Sequence, residues 1–577
     1  MEFTLAIAQI NTHVGALEKN RLAMEEAARH ARRMGTKLIV FPELSLTGYP
    51  PEDLLLKPFF LQSVAEEEAK LQENLGTLGI DAIYGTPRLN AQGELWNTAV
   101  LVEGGQERHL VIKQELPNYG VFDERRYFTP GHEAQTVTYH DIPLGITVCE
   151  DIWHADGPAR TLAKLGARFI INLNASPYRI GKWQEREAVI RERVGDTNLP
   201  VLYVNLVGGQ DELVFDGGSF AMDHQGKLVG RCHFFSEEIR LMRVRWDGES
   251  AVEWVPVHGI DEGPVRLTAP IEGGDWRAPR QHGEDIEPAL EPLEEIYEAL
   301  KFGLHDYVRK NGFKGVVLGL SGGIDSALTA AIAVDALGPE NVESVMMPSP
   351  YTSGESLTDA KVCAENLGTR LSHLNIGPLF ERFKKELAGE FAGLPEDVTE
   401  ENIQPRIRGT LLMALSNKKG TLLVTTGNKS EMSVGYATLY GDMAGGYSVL
   451  KDVLKMTCFE LCRWRNQQAE KMGKPLPIPE NIIEKPPSAE LRPDQKDTDS
   501  LPPYPILDEI LHRYVECEEG LEEITAAGVD RQEAARVIAM VDRNEYKRRQ
   551  APPGVRINHR AFGKARRYPL TNGFKVR

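Results

Sequence analysis

The chain alternates short runs of aliphatic and β-branched residues with longer segments whose apolar residues recur at helical spacing. FTLAIAQI (3–10) and KLIVF (37–41) predict strands, and the apolar positions from Leu17 to Met34 predict the helix between them. Further strands are predicted at DAIYGT (81–86), TAVLVE (98–103), LGITV (144–148), RFIINL (168–173) and VLYVNL (201–206). This alternation is typical of an α/β fold.

A change in composition divides the chain. EGGDWRAPRQHGEDIEPALEPLEE (272–295) is rich in Gly, Pro and acidic residues, as expected of a linker. A second α/β pattern follows, with no internal repeat that relates it to the first. Its predicted elements are strands GVVLGL (315–320), VESVMM (342–347) and LLVTT (422–426), and helices from Asp325 to Ala336 and from Ser356 to Leu367.

We therefore expect a first domain over 1–265, a linker over 266–290, and a second domain over 291–577 that ends in a basic tail. A length of 577 residues agrees with this division, because single domains commonly hold about 100–250 residues. The stretch from Lys474 to Tyr504 has many prolines and charges, which predicts a surface loop or a mobile lid.

Charge and cysteine content restrict the class of protein. The chain has 66 basic and 84 acidic residues, a net charge of −18, which argues against general binding to nucleic acid or to anionic membranes. No signal-peptide pattern and no apolar stretch of about 18 residues predicts secretion or a membrane span. We expect a cytoplasmic protein, because its six cysteines are few and scattered: Cys149, Cys232, Cys363, Cys458, Cys462 and Cys517.

Three segments of the first domain place reactive side chains next to predicted strands. They are LIVFPELSLTGYP with Glu43, VIKQELPNYGVFDERRYF with Lys113, and LGITVCEDIWH with Cys149. Acyl transfer from an amide needs a thiolate that attacks the carbonyl, a carboxylate that takes the thiol proton, and a cation that stabilises the oxyanion. Taken singly, these residues have the plainer interpretation: Cys149 as a buried structural thiol, Glu43 as a turn or cap residue, and Lys113 as a solvated charge.

Taken together, and in this order, the segments resemble the nitrilase (carbon–nitrogen hydrolase) superfamily over about residues 1–260. The resemblance implies an α-β-β-α sandwich that hydrolyses an amide through a thioester. It implies Cys149 as nucleophile, Glu43 as general base and Lys113 as the cation that stabilises the oxyanion. Glu124 matches a second glutamate that many members of the superfamily place near the triad.

Within the glutaminase branch of this superfamily, three further positions match residues that hold L-glutamine: Tyr119, Ser176 and Lys182. Related sequences can carry arginine near the position of Lys182. The resemblance therefore implies L-glutamine as the amide substrate.

The second domain opens with GVVLGLSGGIDSA (315–327), which reads as a strand, a glycine-rich loop and a helix start. Successive backbone N–H groups at a helix N-terminus bind anions, although a plain glycine-rich turn has the same composition. The loop is neither a Walker A motif nor GxGxxG. SGGIDS resembles the N-type ATP pyrophosphatases, which implies a Rossmann-like parallel α/β domain. ATP would then bind at Gly319, Leu320, Ser321, Gly322, Gly323, Ile324, Asp325 and Ser326, and Mg²⁺ at Asp325, since carboxylate oxygen suits this ion.

Three later motifs follow the order seen in NAD synthetases, although singly they are typical of helix caps and turns. The resemblance implies that Thr426 contacts ATP and that Glu431 supplies a second magnesium carboxylate at the dinucleotide site. It implies that Asn402 and Lys547 contact deamido-NAD, with Asp442 as a further candidate. The motifs are ENIQPRIRG (401–409), LLVTTGNKSEMSVGYATLYGDMAGG (422–446) and NEYKRRQAPPG (544–554).

The basic tail has two interpretations. From Lys547 to Arg577 there are ten Lys or Arg residues and no Asp or Glu. The tail either docks on an acidic neighbour or neutralises substrate phosphates through Lys547. Cys458 and Cys462 share a predicted helix without a second Cys or His pair, so we expect no zinc.

Both halves together resemble the glutamine-dependent NAD synthetase family. That resemblance implies release of ammonia from L-glutamine, adenylation of deamido-NAD with ATP and Mg²⁺, and displacement of AMP to give NAD. Neutral ammonia must not equilibrate with bulk water, so a protein-enclosed tunnel is expected. The family also implies a homo-oligomer, a dimer through the synthetase domain or larger.

Three other hypotheses stay open at this point. They are a different amidotransferase with the same ATP loop, a nitrilase-like hydrolase fused to an independent adenylating enzyme, and a non-catalytic binding protein. The complete set of Glu43, Lys113 and Cys149 beside an intact SGGIDS favours an enzyme with two sites.

Overall fold

The computed structural model describes residues 1–249, 252–257 and 286–574. The described residues form two compact units, one up to residue 291 and one from Pro292 onward. Most of the predicted linker, 266–285, lies outside the described residues. The linker-like composition continued to residue 295, but a helix begins at Pro292. Proline and acidic residues are favoured in the first turn of a helix, so this composition does not separate a linker from a helix start.

Within the described residues, the first unit contains fifteen strands and four α-helices. The strands are β1 (Glu2–Gln9), β2 (Leu38–Val40), β3 (Asp81–Leu89), β4 (Leu95–Glu103), β5 (Gln106–Ile112), β6 (Thr136–Tyr139), β7 (Ile142–Val148), β8 (Phe169–Asn174), β9 (Val201–Asn205), β10 (Val207–Gln210), β11 (Leu213–Asp216), β12 (Phe220–Met222), β13 (Leu228–Arg231), β14 (Glu238–Arg245) and β15 (Glu253–Pro256). The helices are α1 (Leu17–Arg33), α2 (Pro58–Leu78), α3 (Pro158–Lys164) and α4 (Lys182–Thr197).

Two of its sheets pack face to face. One has the strand order β15-β14-β1-β2-β3-β4-β5 and the other β13-β12-β9-β8-β7-β6, while β10 and β11 form a hairpin. A single apolar cluster joins Ile7 and Leu101 of the first sheet to Ile146 and Leu202 of the second. Helices α3 and α4 bury their apolar residues on the second sheet, and α1 and α2 pack on the first. The α-β-β-α sandwich is confirmed.

Parallel neighbouring strands end at the same edge of their sheet, so strand direction decides where the residues that follow each strand lie. β1, β2 and β3 are parallel neighbours, and so are β7, β8 and β9. Glu43 therefore follows the carboxyl end of β2, and Cys149 follows that of β7. Strand β4 is longer than the predicted 98–103 because it pairs with β3 along its whole length, from Ala82↔Val102 to Leu89↔Leu95. Such pairing extends a strand through polar residues, which a pattern of apolar residues does not predict.

The second unit contains a five-stranded, all-parallel sheet with the order β18-β17-β16-β19-β20. Its strands are β16 (Val316–Gly319), β17 (Val342–Met346), β18 (Arg370–His373), β19 (Leu422–Thr425) and β20 (Tyr447–Ser448). Its helices are α5 (Pro292–Lys310), α6 (Ile324–Leu337), α7 (Gly354–Leu367), α8 (Gly377–Leu387), α9 (Val398–Lys419), α10 (Lys429–Val434), α11 (Lys455–Lys471), α12 (Glu480–Glu484), α13 (Tyr504–Leu511), α14 (Leu521–Ala526), α15 (Arg531–Arg543) and α16 (Glu545–Arg548). The predicted parallel α/β domain is confirmed.

The loop predicted from Lys474 to Tyr504 has more structure than its composition indicated. It contains α12 and a single helical turn at Asp497–Asp499. Ile478, Ile482 and Ile483 are buried, so apolar packing anchors its first half. None of the described helices combines the length and the apolar character that crossing a membrane requires.

Candidate active sites

Lys113 lies between two buried carboxylates in the first unit. Its Nζ donates to Glu43 Oε1 at 2.7 Å and to Glu124 Oε1 at 2.8 Å. Lys113 and Glu43 have no exposed surface, and Tyr49 Oη donates to the same oxygen of Glu124 at 2.8 Å. The structure therefore brings three of the sequence-predicted residues into one cluster. Glu43 follows β2, Lys113 directly follows β5, and Glu124 begins the short turn Glu124–Arg126.

Close packing and two further hydrogen bonds fix the Glu43 carboxylate. Asn97 Nδ2 donates to Glu43 Oε1 at 2.7 Å, and the Ala175 N–H donates to Oε2 at 3.0 Å. Gly85 of β3 passes so near that a Cβ at this position would lie 2.2 Å from the Leu44 nitrogen. Only glycine allows this approach of β3 to the segment that carries Glu43.

Burial and charge set the proton affinities of the cluster. Burial acts to lower the pKa of Lys113, but the carboxylates of Glu124 and Glu43 outweigh it and raise this pKa well above its usual value. Burial raises the pKa of Glu124 to about 7, against the opposing charge of Lys113. Lys113 is thus a permanent cation, while the Glu124 carboxyl exchanges its proton near neutral pH.

Cys149 occupies a strained turn directly after β7. Its φ is +47°, a left-handed conformation that side chains with a Cβ rarely adopt, and it begins the single helical turn Cys149–Ile152. Burial and the Glu43 carboxylate raise the pKa of the thiol, whereas Lys113 acts to lower it. The resting thiol is therefore protonated and needs a base. A buried carboxylate, a fixed cation and a thiol on a strained turn are the groups that acyl transfer requires.

Tyr119, one of the three predicted glutamine-binding residues, contacts the turn that carries Cys149, and Lys182 contacts Trp153, the residue directly after it. Tyr119 Oη donates to Glu150 Oε1 at 2.9 Å, and 56% of the Tyr119 side chain is exposed. Lys182 Nζ lies 3.8 Å from the centre of the Trp153 ring and 3.2 Å from Glu185 Oε2. Burial and the Arg186 charge lower the pKa of Lys182 to about 8.

Ser176, the third predicted glutamine-binding residue, is hydrogen-bonded to buried polar groups. Its N–H donates to Asn205 Oδ1 at 3.0 Å, and its Oγ accepts from Arg186 Nε at 3.1 Å. Arg186 in turn pairs with Asp216 at 2.8 Å. Because Ser176 follows Ala175, whose N–H donates to Glu43, the backbone after β8 connects Ser176 to the cluster of Glu43, Lys113 and Glu124.

In the second unit, the predicted ATP loop from Gly319 to Ser326 connects β16 to α6. Gly322 has φ +79°, and a Cβ there would lie 2.2 Å from the Ser356 carbonyl oxygen of α7. The Gly323 N–H donates to Ser321 Oγ at 3.2 Å, and Ser326 Oγ donates to the Gly323 carbonyl at 2.9 Å. The loop thus turns sharply and leads directly into the N-terminus of α6. Backbone N–H groups at such a helix start are suited to binding phosphate.

Asp325 and Glu431, the predicted magnesium ligands, share one ammonium group. Lys455 Nζ contacts Asp325 Oδ2 and lies 3.0 Å from Glu431 Oε1, while Asn428 Nδ2 donates to Asp325 Oδ1 at 2.9 Å. Burial raises the pKa of Glu431 to about 8. Two carboxylates that reach one cation beside a glycine-rich loop fit Mg²⁺, which takes one or two carboxylates together with phosphate oxygens.

Three of the predicted dinucleotide-site residues meet at the segment after α10. Thr438 Oγ1 donates to Asn402 Oδ1 at 2.7 Å, and the Thr438 N–H donates to Asp442 Oδ1 at 2.7 Å. Lys547 Nζ donates to the carbonyls of Gly435 and Ala437 at 2.8 and 2.9 Å. Burial raises the pKa of Asp442 to about 6, and Lys547 acts to lower it.

Thr426 directly follows β19, the strand beside β16. Within the part of the chain that the structure describes, its side chain is hydrogen-bonded neither to the Asp325 group nor to the Asn402 group.

Much of the basic tail docks on acidic residues. Glu545 pairs with Arg548 at 2.9 Å, Arg549 at 3.0 Å and Arg566 at 3.3 Å. Arg560 pairs with Glu518 at 2.6 Å. The docking interpretation holds for these arginines.

Several residues of these sites were not predicted from the sequence, among them Lys455, Asn97, Asp151 and Arg186. Lys455 stands in an ordinary helix start, and Asn97 lies inside a strand. Asp151 had a signal, since an acidic residue in CEDIWH three positions after the strand end can cap a turn.

Comparison with known proteins places both units. Residues 4–250 match the carbon–nitrogen hydrolase family model and residues 296–551 the NAD synthase model. A glutamine-dependent NAD(+) synthetase from Thermotoga maritima is 47% identical over 582 residues, 99% of each chain. One from Acinetobacter baylyi is 44% identical over 573 residues, again 99% of each. The solved structure of the Acinetobacter baumannii synthetase with ADP is 41% identical, covers 100% of each chain and has a TM-score of 0.75.

Proposed function

Since the chain belongs to the glutamine-dependent NAD(+) synthetase family, we propose that its first unit releases ammonia from L-glutamine and its second unit uses that ammonia to make NAD. The protein is a carbon–nitrogen ligase with glutamine as amide donor. ATP and deamido-NAD are its other substrates, and glutamate, AMP and pyrophosphate are the further products. The proposed residue roles follow from the contacts described above.

In the first unit, Glu43 removes the proton from Cys149 Sγ, and the sulfur attacks the carboxamide carbon of glutamine. The Lys113 ammonium stabilises the oxyanion that forms. The C–N bond then breaks, ammonia leaves with the proton from Glu43, and a thioester remains on Cys149. Water gives a proton to Glu43 and attacks the thioester, which frees glutamate and restores the thiol.

Base assistance is needed because the Cys149 thiol is protonated at rest. Its pKa is raised by burial and by the Glu43 carboxylate. Lys113 can serve as a fixed cation because the two carboxylates keep it charged. For glutamine binding, Glu150 offers a carboxylate on the turn that Tyr119 also contacts. Lys182, at the start of α4, offers an ammonium that lies over the ring of Trp153, the residue after that turn.

In the second unit, the nicotinate carboxylate of deamido-NAD attacks the α-phosphorus of ATP, and pyrophosphate leaves. Ammonia then attacks the activated acyl carbon, and AMP leaves. The loop from Gly319 to Ser326 presents backbone N–H groups at the N-terminus of α6, where phosphate oxygens bind. Lys455 balances the charge of Asp325 and Glu431.

Asp325 and Glu431 would hold Mg²⁺ in this unit. The ion would neutralise charge on the phosphate oxygens of ATP. Asn428 orients Asp325 by its hydrogen bond to Oδ1, and it also caps α10 by accepting the Glu431 N–H. One asparagine therefore positions both carboxylate residues.

The observation that carries the proposal is the presence in one chain of the buried Glu43–Lys113–Cys149 site and the loop at α6. The test supplies the full-length protein with deamido-NAD, ATP, Mg²⁺ and glutamine isotopically labelled in its amide nitrogen, with unlabelled ammonium present. We expect labelled NAD, with glutamate and NAD formed in near-equal amounts. Unlabelled NAD in this mixture would indicate two independent enzymes, and absence of NAD would refute the proposal.

We further propose a cytoplasmic homo-oligomer. All six cysteines are free thiols, as is usual in a reducing compartment. Light scattering of the full chain during size-exclusion chromatography measures the oligomeric state, and a monomer at micromolar concentration would contradict it.

A further inference from the structure

We propose that Asp151 is a positioning residue for glutamine hydrolysis, because it fixes the turn that carries Cys149 relative to the strand end that carries Lys113. The inference rests on the proposed function of the first unit. Asp151 is assigned no chemical step of its own.

The Asp151 carboxylate joins two segments that are distant in sequence. Its Oδ1 accepts the N–H groups of Gln114 at 2.9 Å and Glu115 at 2.8 Å. Its Oδ2 accepts the N–H of Val148 at 3.0 Å. Gln114 directly follows Lys113, and Val148 directly precedes Cys149. The side chain is 1% exposed, so water does not replace these bonds.

The two segments need such a link. Cys149 has φ +47°, and a strained conformation of this kind persists only where its surroundings over-determine it. Glu43 and Glu124 hold the Lys113 ammonium. Asp151 holds the backbone beyond it. A single carboxylate thus sets where the nucleophile stands relative to the cation, and reacting groups misplaced by about 1 Å can lose about 100-fold in rate.

The raised pKa of Asp151 shows that burying its charged form costs free energy. Burial raises the pKa of Asp151 to about 6, while the N–H groups of Glu115, Val148 and Gln114 and the charge of Lys113 all act to lower it. At neutral pH the group is ionised and both oxygens accept. Asparagine at this position offers one accepting oxygen and turns an N–H₂ group toward one of the donors.

The experiment uses full-length protein with Asp151→Asn, and Glu68→Gln as the matched control. Glu68 is also a buried carboxylate of the first unit, with a pKa raised by burial, and it accepts from Tyr84 Oη at 2.9 Å and Arg88 at 2.7 Å. Three quantities are measured: kcat and KM for glutamate release, the rate of NAD formation from ammonium, and the rate of iodoacetamide labelling at Cys149, read by peptide mass spectrometry.

For Asp151→Asn we expect kcat for glutamate release to fall about 10–100-fold with KM within about threefold, and Cys149 labelling to slow severalfold. NAD formation from ammonium should stay within about twofold, as should every rate of Glu68→Gln. Two results would overturn the inference: an unchanged kcat in folded Asp151→Asn, or parallel loss of glutaminase and ammonium-supported rates.

A second variant decides the case if Asp151→Asn does not fold. Asp151→Glu keeps the charge but lengthens the side chain, so it should displace the turn and lower kcat while the protein stays folded. Wild-type kcat in Asp151→Glu would refute positioning by Asp151. Absence of glutamate release from the wild-type protein would instead refute the proposed function, so the two failures are distinguishable.

Discussion

Lys113 Nζ lies 2.7 Å from Glu43 Oε1 at a place where neither side chain has any exposed surface. The same ammonium contacts Glu124 at 2.8 Å. Removing two charges from water is costly, and the mutual attraction repays this only with good geometry and further hydrogen bonds. Asn97, Ala175 and Tyr49 supply those bonds. The cluster therefore contributes little net stability to the fold. Its main effect is to hold charged groups in place for chemistry.

Lys113→Met should cost both activity and stability. It leaves the carboxylates of Glu43 and Glu124 buried without their cation, and breaking such a pair typically costs about 3–5 kcal/mol. Glutamate release should fall at least about 100-fold, because the cation that we propose to stabilise the oxyanion is absent. Chemical denaturation of the full chain measures the first effect. Adding Glu124→Gln to this variant should restore part of the stability, and a double variant no more stable than Lys113→Met would contradict this account.

Cys149→Ala should abolish glutamine-supported synthesis and spare ammonium-supported synthesis. Alanine removes the proposed nucleophile, and loss of a nucleophile typically lowers the rate by several orders of magnitude. The substitution leaves the second unit unchanged. The measured quantity is the ratio of NAD formed with glutamine to NAD formed with ammonium at alkaline pH. A purely structural thiol would instead leave a small cavity, and both rates would decline together with an unchanged ratio.

Asp325→Ala should abolish NAD formation from either nitrogen source, since its carboxylate is expected to hold Mg²⁺ against the ATP phosphates. Asp335→Asn is the matched control on the same helix. Asp335 is buried but accepts from Tyr297 Oη at 2.6 Å and Arg465 Nε at 2.6 Å. The control should lower thermal stability and keep the turnover of the folded protein. Ammonium-supported turnover in Asp325→Ala near the wild-type rate would remove the magnesium assignment.

The pH dependence of glutamine binding should follow Lys182. Its pKa is lowered to about 8 by burial and by Arg186, so the ammonium is present below pH 8 and lost as the pH rises through that value. KM for glutamine should therefore be flat below pH 8 and rise above it, by at most about tenfold per pH unit. Lys182→Arg stays charged and should keep its KM flat up to pH 9. Identical profiles for the two proteins would show that Lys182 does not hold the substrate.

Short motifs whose geometry is local were predictable from the sequence. The SGGIDS loop was placed correctly between a strand and a helix, because backbone direction and glycine positions are local properties. The end of the strand before Cys149 was predicted correctly for the same reason. The missed residues behave differently. Lys455 stands between Asp325 and Glu431 only because α11 packs beside α6 and α10, and no local pattern encodes that packing.

The sequence by itself determined the two α/β patterns, the order of their elements and the residue types at each predicted site. Apolar periodicity and turn chemistry act over a few residues, so they can be read along the chain. Tertiary structure alone decided which charges meet. Because β3 pairs with β4, the Asn97 side chain lies within hydrogen-bond distance of Glu43. The turn after β7 places the Asp151 carboxylate against the backbone N–H groups that follow Lys113. Proton affinities then follow, because they depend on burial and on neighbours brought from distant positions.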